Sequence, residues 1–205
     1  MTVYNAGGFL KDSVGSILEQ TFGDFEFLIV DDASTDGSAD RLDAWARSDS
    51  RIRFLRQEKN AGQTASLNLG LQEAKTDWIL RMDADDISLP HRIEKLWNAA
   101  LGPGRPVLVG SRGWILDTQN RVTGTINVPL SDRGIRWAMP FQNPFLHAAV
   151  LFRRSLPGVS VAYDERFRIC QDWDLWRRIS DHGPVCNLPD RLIGYRHHDS
   201  SLSHA

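Results

Sequence analysis

The 205-residue chain is long enough for one domain, or for two small lobes that share a core. Its 41% hydrophobic and 24% charged residues are the balance of a soluble globular protein rather than of a disordered chain. A net charge of −2 excludes the broad basic face that a general nucleic-acid binder needs, though not a local basic pocket.

In chain order, "MTVYNAGG" reads as the end of a strand and the loop after it, with most of the strand missing. Leu10, Val14, Ile17 and Leu18 recur at helical spacing, with Gly23 as a stop. "FEFLIV" (25–30) is a continuous apolar run, as in a strand buried on both faces. "DDASTDGS" supplies the small polar residues that turn the chain and cap a helix carrying Leu42, Trp45 and Ala46. "IRFL" (52–55) predicts a strand, Leu67, Leu71 and Ala74 a helix, and "WILRM" (78–82) a further strand. This alternation predicts an α/β fold with a mostly parallel central sheet flanked by helices.

After Pro90 the pattern changes. Ile93, Leu96, Trp97 and Ala100 suit an amphipathic helix that "GPGRP" ends. "VLVGSRGWIL" and "RVTGTINV", joined by "DTQN", predict a hairpin, so the second half adds a smaller mixed or antiparallel part. A helix over about 170–181 and short extended pieces complete the chain. No repeat or low-complexity linker divides it, so residues 1–205 are read as one domain.

Cys170 and Cys186 make neither a disulfide framework nor a zinc ribbon, so a reducing compartment is expected. No apolar run approaches the ~20 residues that span a bilayer. The chain is expected to be soluble and cytoplasmic, with peripheral contact at the inner face of a membrane still open to it.

In an open parallel sheet, ligands gather at the carboxyl ends of the strands. Two acidic groups fall there: Asp31 with Asp32, and Asp83, Asp85 and Asp86 in "RMDADD". On extended chain Asp83 and Asp85 share a side, and hard oxygen ligands so placed suit Mg2+ or Mn2+ completed by substrate phosphates. Arg81 could contact the same phosphates. The alternative is that aspartates at strand ends start turns and cap helices; that role is expected of Asp86. In "CQDWDLWRRI" (170–179), Asp172 shares a helix face with Leu175, Trp176 and Ile179, so it points inward from the first turn. It is either a simple cap or a general base facing a cleft.

"TVYN", "QTFGDFEFLIVDDASTDGS", "NAGQTASLNLGL", "RMDADDISLPHR", "HAAVLFRR" and "QDWDLW" resemble, in order, the motifs of glycosyltransferase family 2. The resemblance covers nearly the whole chain. It implies a GT-A fold and inverting, metal-dependent transfer of a sugar from a nucleotide-diphosphate sugar to a saccharide or lipid-linked acceptor, in surface polysaccharide or glycolipid synthesis. It further implies a nucleotide-binding half over about 1–110 and an acceptor-binding half over about 111–205.

Position by position, the resemblance puts Thr2, Tyr4, Asp32, Asn60 and Gly62 at the nucleotide, and Asp83, with Arg81 just before it, is placed to meet the nucleotide as well. Asp32 would accept a hydrogen bond from the base. Asp85, with Asp83 and His198, would hold the metal, and Asp172 would be the catalytic base. His147 and Trp173 are candidates for the acceptor pocket, although each can equally be a packing residue. Gln171 stands where the family often has glutamate. No Gln-X-X-Arg-Trp motif occurs, so the expected enzyme is non-processive. The rival readings are a truncated or inactive nucleotide-binding partner module, and another metal-dependent nucleotidyl-handling enzyme. The second would want a glycine- and lysine-rich phosphate loop, which the sequence lacks.

Overall fold

The structure, a computed structural model, describes residues 1–167 and 169–198. Three parallel strands, β1 (Thr2–Val3), β2 (Phe27–Asp31) and β3 (Ile52–Arg56), form the first sheet, with Thr2 opposite Val30 and Phe27 opposite Ile52. Crossovers carry α1 (Leu10–Leu18) and α2 (Ser38–Ser48), and α3 (Gln63–Glu73) follows β3. The helical periodicity has its expected cause, since Leu10, Val14 and Ile17 on α1 and Leu42 on α2 are all buried against β2 and β3. Gly37 opens α2 at φ 85°, in the left-handed region that costs glycine least.

The second sheet contains β4 (Trp78–Leu80), β5 (Ile87–Ser88), β6 (Leu108–Leu116), β7 (Val122–Ile126), β8 (Leu151–Arg153) and β9 (Val185–Arg196). Its order is β4-β8-β6-β9-β5, with β7 hairpinned onto β6. Around it lie α4 (Arg92–Leu101), α5 (Asp132–Ala138) and α6 (Gln171–Ser180). "WILRM" was expected to extend the parallel set. Instead β4 pairs antiparallel with β8, because Ile79 faces Phe152 across that edge. Where short extended pieces are expected, residues 185–196 form one 12-residue strand, β9. Pro189 lacks a ladder N–H, and the β9 register on β6 shifts there, from Leu188 opposite Ser111 to Arg191 opposite Arg112.

Two arginines are completely enclosed where the sheets meet. Arg92 on α4 donates to the Arg81 carbonyl at 2.5 Å, to the Ala148 carbonyl, and to Met82 Sδ at 3.2 Å. Arg196 at the end of β9 donates through Nε to the Asp85 carbonyl at 2.6 Å and through its backbone N–H to Asp86 Oδ1 at 2.8 Å. A buried guanidinium is costly unless it is bonded, so both side chains fix the backbone of residues 81–86 firmly.

Candidate active site

A cleft of about 1000 Å3 opens between the two sheets, where the loop after β1, the loop after β2, residues 83–85 and the start of α6 converge. The "YNAGG" loop is tied to the loop after β2. Asn5 N–H donates to Ser34 Oγ at 2.9 Å, and Asn5 Oδ1 accepts Thr35 N–H at 2.8 Å. Gly7 N–H reaches Asp36 Oδ2 at 2.8 Å. These bonds hold Tyr4 at the rim with its ring 53% exposed. Thr2, Tyr4, Asn60 and Gly62 all line the cleft.

Asp32 also lines it, yet its carboxylate already accepts three internal bonds. Oδ1 takes Gln57 Nε2 at 2.8 Å and Ala61 N–H at 2.7 Å, and Oδ2 takes Gly62 N–H at 2.9 Å. Its work in the structure is therefore to fold residues 60–62 over the strand ends.

The acidic loop divides its labour. Asp85 Oδ2 lies 2.9 Å from His198 Nε2, bringing together two residues 113 apart in sequence. Burial, followed by the neighbouring Asp83 charge, pushes the Asp85 carboxyl up, and the His198 contact opposes this. Asp86 is fully buried, and burial with two adjacent carboxylates holds it well above the usual range. It faces the Arg196 backbone and not the cleft, as expected of a turn residue. Among the described residues no three His, Cys, Asp or Glu side chains form a closed metal cage.

Arg81 departs from its expected place. Its side chain is 2% exposed and points beneath the cleft, paired with Asp83 and near Tyr163. It does not line the cleft, because β4 turns it into the core. Asp83 does line the cleft, while sharing its carboxylate with Arg81. His147 borders the cleft too, with Nε2 3.0 Å from the Tyr163 hydroxyl. Burial and then the Arg81 charge depress its pKa well below the usual value, which keeps the imidazole neutral.

At the start of α6, Cys170 at φ 63° turns the chain into the helix and presents Gln171 and Asp172 to the cleft. Behind them Leu175, Trp176 and Ile179 are completely buried, as the helical spacing predicts. Burial raises the Asp172 pKa, opposed by the Trp173 N–H and by Asn143, whose Nδ2 donates to Oδ2 at 2.7 Å. Trp173 itself is turned away: its Nε1 donates to the Met139 carbonyl at 2.9 Å and its ring packs on the core. It does not line the cleft, and its observed contacts are those of a packing residue. Gln171 Nε2 reaches Gln63 Oε1 at 3.4 Å, joining α6 to α3 across the cleft.

Sequence reasoning missed Asn143, Tyr163, Arg92 and Arg196. Only Asn143 carried a local signal. It precedes Pro144, and its Oδ1 accepts the Phe145 N–H at 3.1 Å, a side-chain turn of the kind that Asn-Pro announces.

The family model described as glycosyl transferase family 2 matches residues 1–157. The chain belongs to this family. Among its relatives, an uncharacterized glycosyltransferase of Haemophilus influenzae is 29% identical across 98% of this chain and 65% of its own length. The O-antigen biosynthesis glycosyltransferase WbnJ of Escherichia coli is 30% identical across 98% of this chain and 79% of its own. The fold is GT-A. Staphylococcus aureus TarS residues 1–349, solved with UDP-GlcNAc, superposes with a TM-score of 0.78 at 16% identity over 100% of this chain and 59% of that one. The mannosyltransferase PcManGT of Pyrobaculum calidifontis, solved with GDP-Man and Mn2+, gives 0.74 at 16% identity over 98% and 56%. The chain thus spans about two thirds of the first curated relative and little more than half of these structures.

Proposed function

We propose that this glycosyltransferase transfers a sugar from a nucleotide-diphosphate donor to an acceptor hydroxyl with inversion, one sugar at a time, with a divalent cation. The observation that carries the reading is that two unlike acidic groups line one cleft: Asp85 with His198 after β4, and Asp172 at the start of α6. Inversion requires attack from the face opposite the leaving diphosphate, so the proton acceptor and the diphosphate site belong on opposite walls.

The donor lies along Thr2, Tyr4, Asn60 and Gly62, where UDP-GlcNAc and GDP-Man in the two solved relatives make a nucleotide sugar the matching class. Asp32 holds the 60–62 loop in the shape that receives the nucleoside. The donor set on the acidic wall suits a hard cation, since Asp83 and Asp85 supply crowded oxygens and His198 one nitrogen. Held chiefly by Asp85, with Asp83 and His198 beside it and the donor's phosphates as further ligands, Mn2+ or Mg2+ would offset the charge gathering on the departing diphosphate. Asp172 takes the proton from the acceptor hydroxyl, held in place by Asn143. His147, neutral and anchored on Tyr163, borders the acceptor side.

The acceptor is a saccharide, free or lipid-linked, met on the cytoplasmic side of the membrane. The Escherichia coli relative, named for O-antigen biosynthesis, supports a surface-polysaccharide setting. Trp137 and Phe141 support the acceptor side: both are more than 70% exposed, 5.8 Å apart, just before Asn143 in the chain. Among the described residues, no helix is long and apolar enough to cross a membrane. The test is a panel of nucleotide sugars scored by thermal shift and donor hydrolysis, with and without Mn2+. One donor should shift the melt only with metal present. Equal, metal-independent binding of every nucleotide would overturn the reading.

A further inference from the structure

Asp172 is the end point of a chain of amides. Its Oδ2 accepts Asn143 Nδ2 at 2.7 Å, and Asn143 Oδ1 in turn accepts the Phe145 N–H at 3.1 Å. That N–H belongs to the peptide unit whose other end is the Pro144 carbonyl, and this carbonyl accepts Asn187 Nδ2 at 3.0 Å. The Asn187 side chain, the Pro144–Phe145 peptide and the Asn143 side chain therefore run head to tail. Each turns an N–H toward Asp172 and a carbonyl away from it, so their dipoles add at the carboxylate.

The far end of this relay is fixed on all sides. Asn187 lies on β9, is 4% exposed, and stands opposite Gly110 of β6. Its backbone N–H donates to the Leu130 carbonyl at 3.0 Å, and its side-chain Nδ2 donates to the Pro129 carbonyl at 2.7 Å as well as to Pro144. One side chain thus grips both ends of the 129–144 excursion, which carries α5 and returns at Asn143. Asn187 Oδ1 is buried without a hydrogen-bond partner, so nothing draws the amide back from the relay. Gly110 makes the room: a Cβ there would fall on Oδ1 and press the Phe145 ring at 2.9 Å. Phe145 packs edge-on against Trp176 of α6, which keeps the relay and Asp172 in one close-packed unit.

We propose that Asn187, acting through the Pro144–Phe145 peptide and Asn143, is a positioning residue for Asp172: the relay holds the carboxylate in place and favours its ionised form. Asn187 does not line the cleft, so it acts on the reaction only through this chain. The other groups acting on Asp172 are the Trp173 N–H and the Arg81 charge, which favour the ionised form too, and the Tyr163 hydroxyl, which burial keeps neutral. None of them is held by Asn187. The inference rests on Asp172 being the base, and adds a control point for it on β9.

The experiment compares Asn187→Ala, Gly110→Ala and the two combined. It reads donor hydrolysis against pH with the nucleotide sugar that the panel selects, Tm, and the Asn143 side-chain amide signals by NMR without metal. Asn187→Ala breaks the first link. The acidic limb should move up by about half a pH unit, neutral-pH turnover should fall about 3-fold, and the Asn143 signals should shift, with donor affinity unchanged. Gly110→Ala should do the same from the neighbouring strand, by displacing Oδ1. In the combined variant the new Cβ takes space that Asn187 vacates, so Tm should recover toward the parent while the limb and the Asn143 signals stay displaced. Adding Asn187→Ala to Asn143→Ala should move the limb no further. Recovery of the limb together with Tm, or unmoved Asn143 signals in Asn187→Ala, overturns the proposal and makes Asn187 a packing residue. If Asp172→Asn retains turnover while the Asn143 signals still shift in Asn187→Ala, the base reading falls and the relay's hold on Asp172 stands.

Discussion

The two acidic walls of the cleft are built in opposite ways. Asp83, Asp85 and Asp86 crowd into four residues and are braced by cations: Arg81 pairs with Asp83, while Arg92 and Arg196 grip the loop's backbone from behind. Asp172 is a single carboxylate on the first turn of α6, with Leu175 and Trp176 buried behind it and Asn143 donating to it. Concentrated, braced charge suits holding a cation and a diphosphate. A lone carboxylate, with no like charge crowded beside it and with its pKa raised by burial, suits holding a proton. The comparison teaches that residue type alone does not distribute these roles; the surroundings do.

The contrast can be broken most sharply at Asp172. Asp172→Asn keeps size and the Asn143 neighbour but cannot take a proton. Turnover should fall by about 1000-fold, with donor affinity in a titration nearly unchanged. Retained turnover would remove Asp172 from the base role. On the other wall Asp85→Asn should act through the donor: metal-dependent binding weakens by about 10- to 100-fold, and excess Mn2+ restores part of the activity. If the two substitutions gave the same split between binding and turnover, the division between the walls would be lost.

The first-sheet side was largely legible in the sequence because its signals are local. Leu10, Val14 and Ile17 announce α1, "FEFLIV" announces β2, and the aspartates follow directly after their strands. The second side was legible only in part. The inward face of α6 could be read from the Asp172, Leu175, Trp176 and Ile179 spacing, but not the partner of Asp172, since Asn143 lies 29 residues away. Arg81 and Trp173 were misplaced for one reason. A strand or helix period gives a side, but which side becomes cleft or core depends on long-range packing, here of Tyr163 against Arg81 and Met139 against Trp173. Arg92 and Arg196 carry no local signal, and only tertiary structure encloses them.

A smaller effect sharpens the comparison at Asn143. Its amide donates to the ionised Asp172 and so lowers a pKa that burial raises. Activity should be lost as pH falls through the Asp172 pKa, above the usual carboxylate range. Asn143→Ala should move that acidic limb to still higher pH and reduce neutral-pH turnover by about 10-fold, while Asn143→Ser restores part of the shift. A loss of turnover with no movement of the limb would mean that Asn143 only shapes the 143–145 turn.

The smallest effect is on stability, and its sign is informative. Asp172 has a folded pKa above its unfolded one, so the protonated form is favoured in the fold. Its contribution is fully present below the unfolded pKa and is lost as pH rises through the folded pKa. At neutral pH the ionised carboxylate therefore opposes folding, and Asp172→Asn should melt slightly above the parent. Below about pH 4 both side chains are neutral and the difference should vanish. Melting curves of the two proteins from pH 4 to 8 measure this directly. A gap that grows with pH marks a carboxylate held at a cost for its chemistry, whereas a parent more stable at neutral pH would make Asp172 an ordinary helix cap.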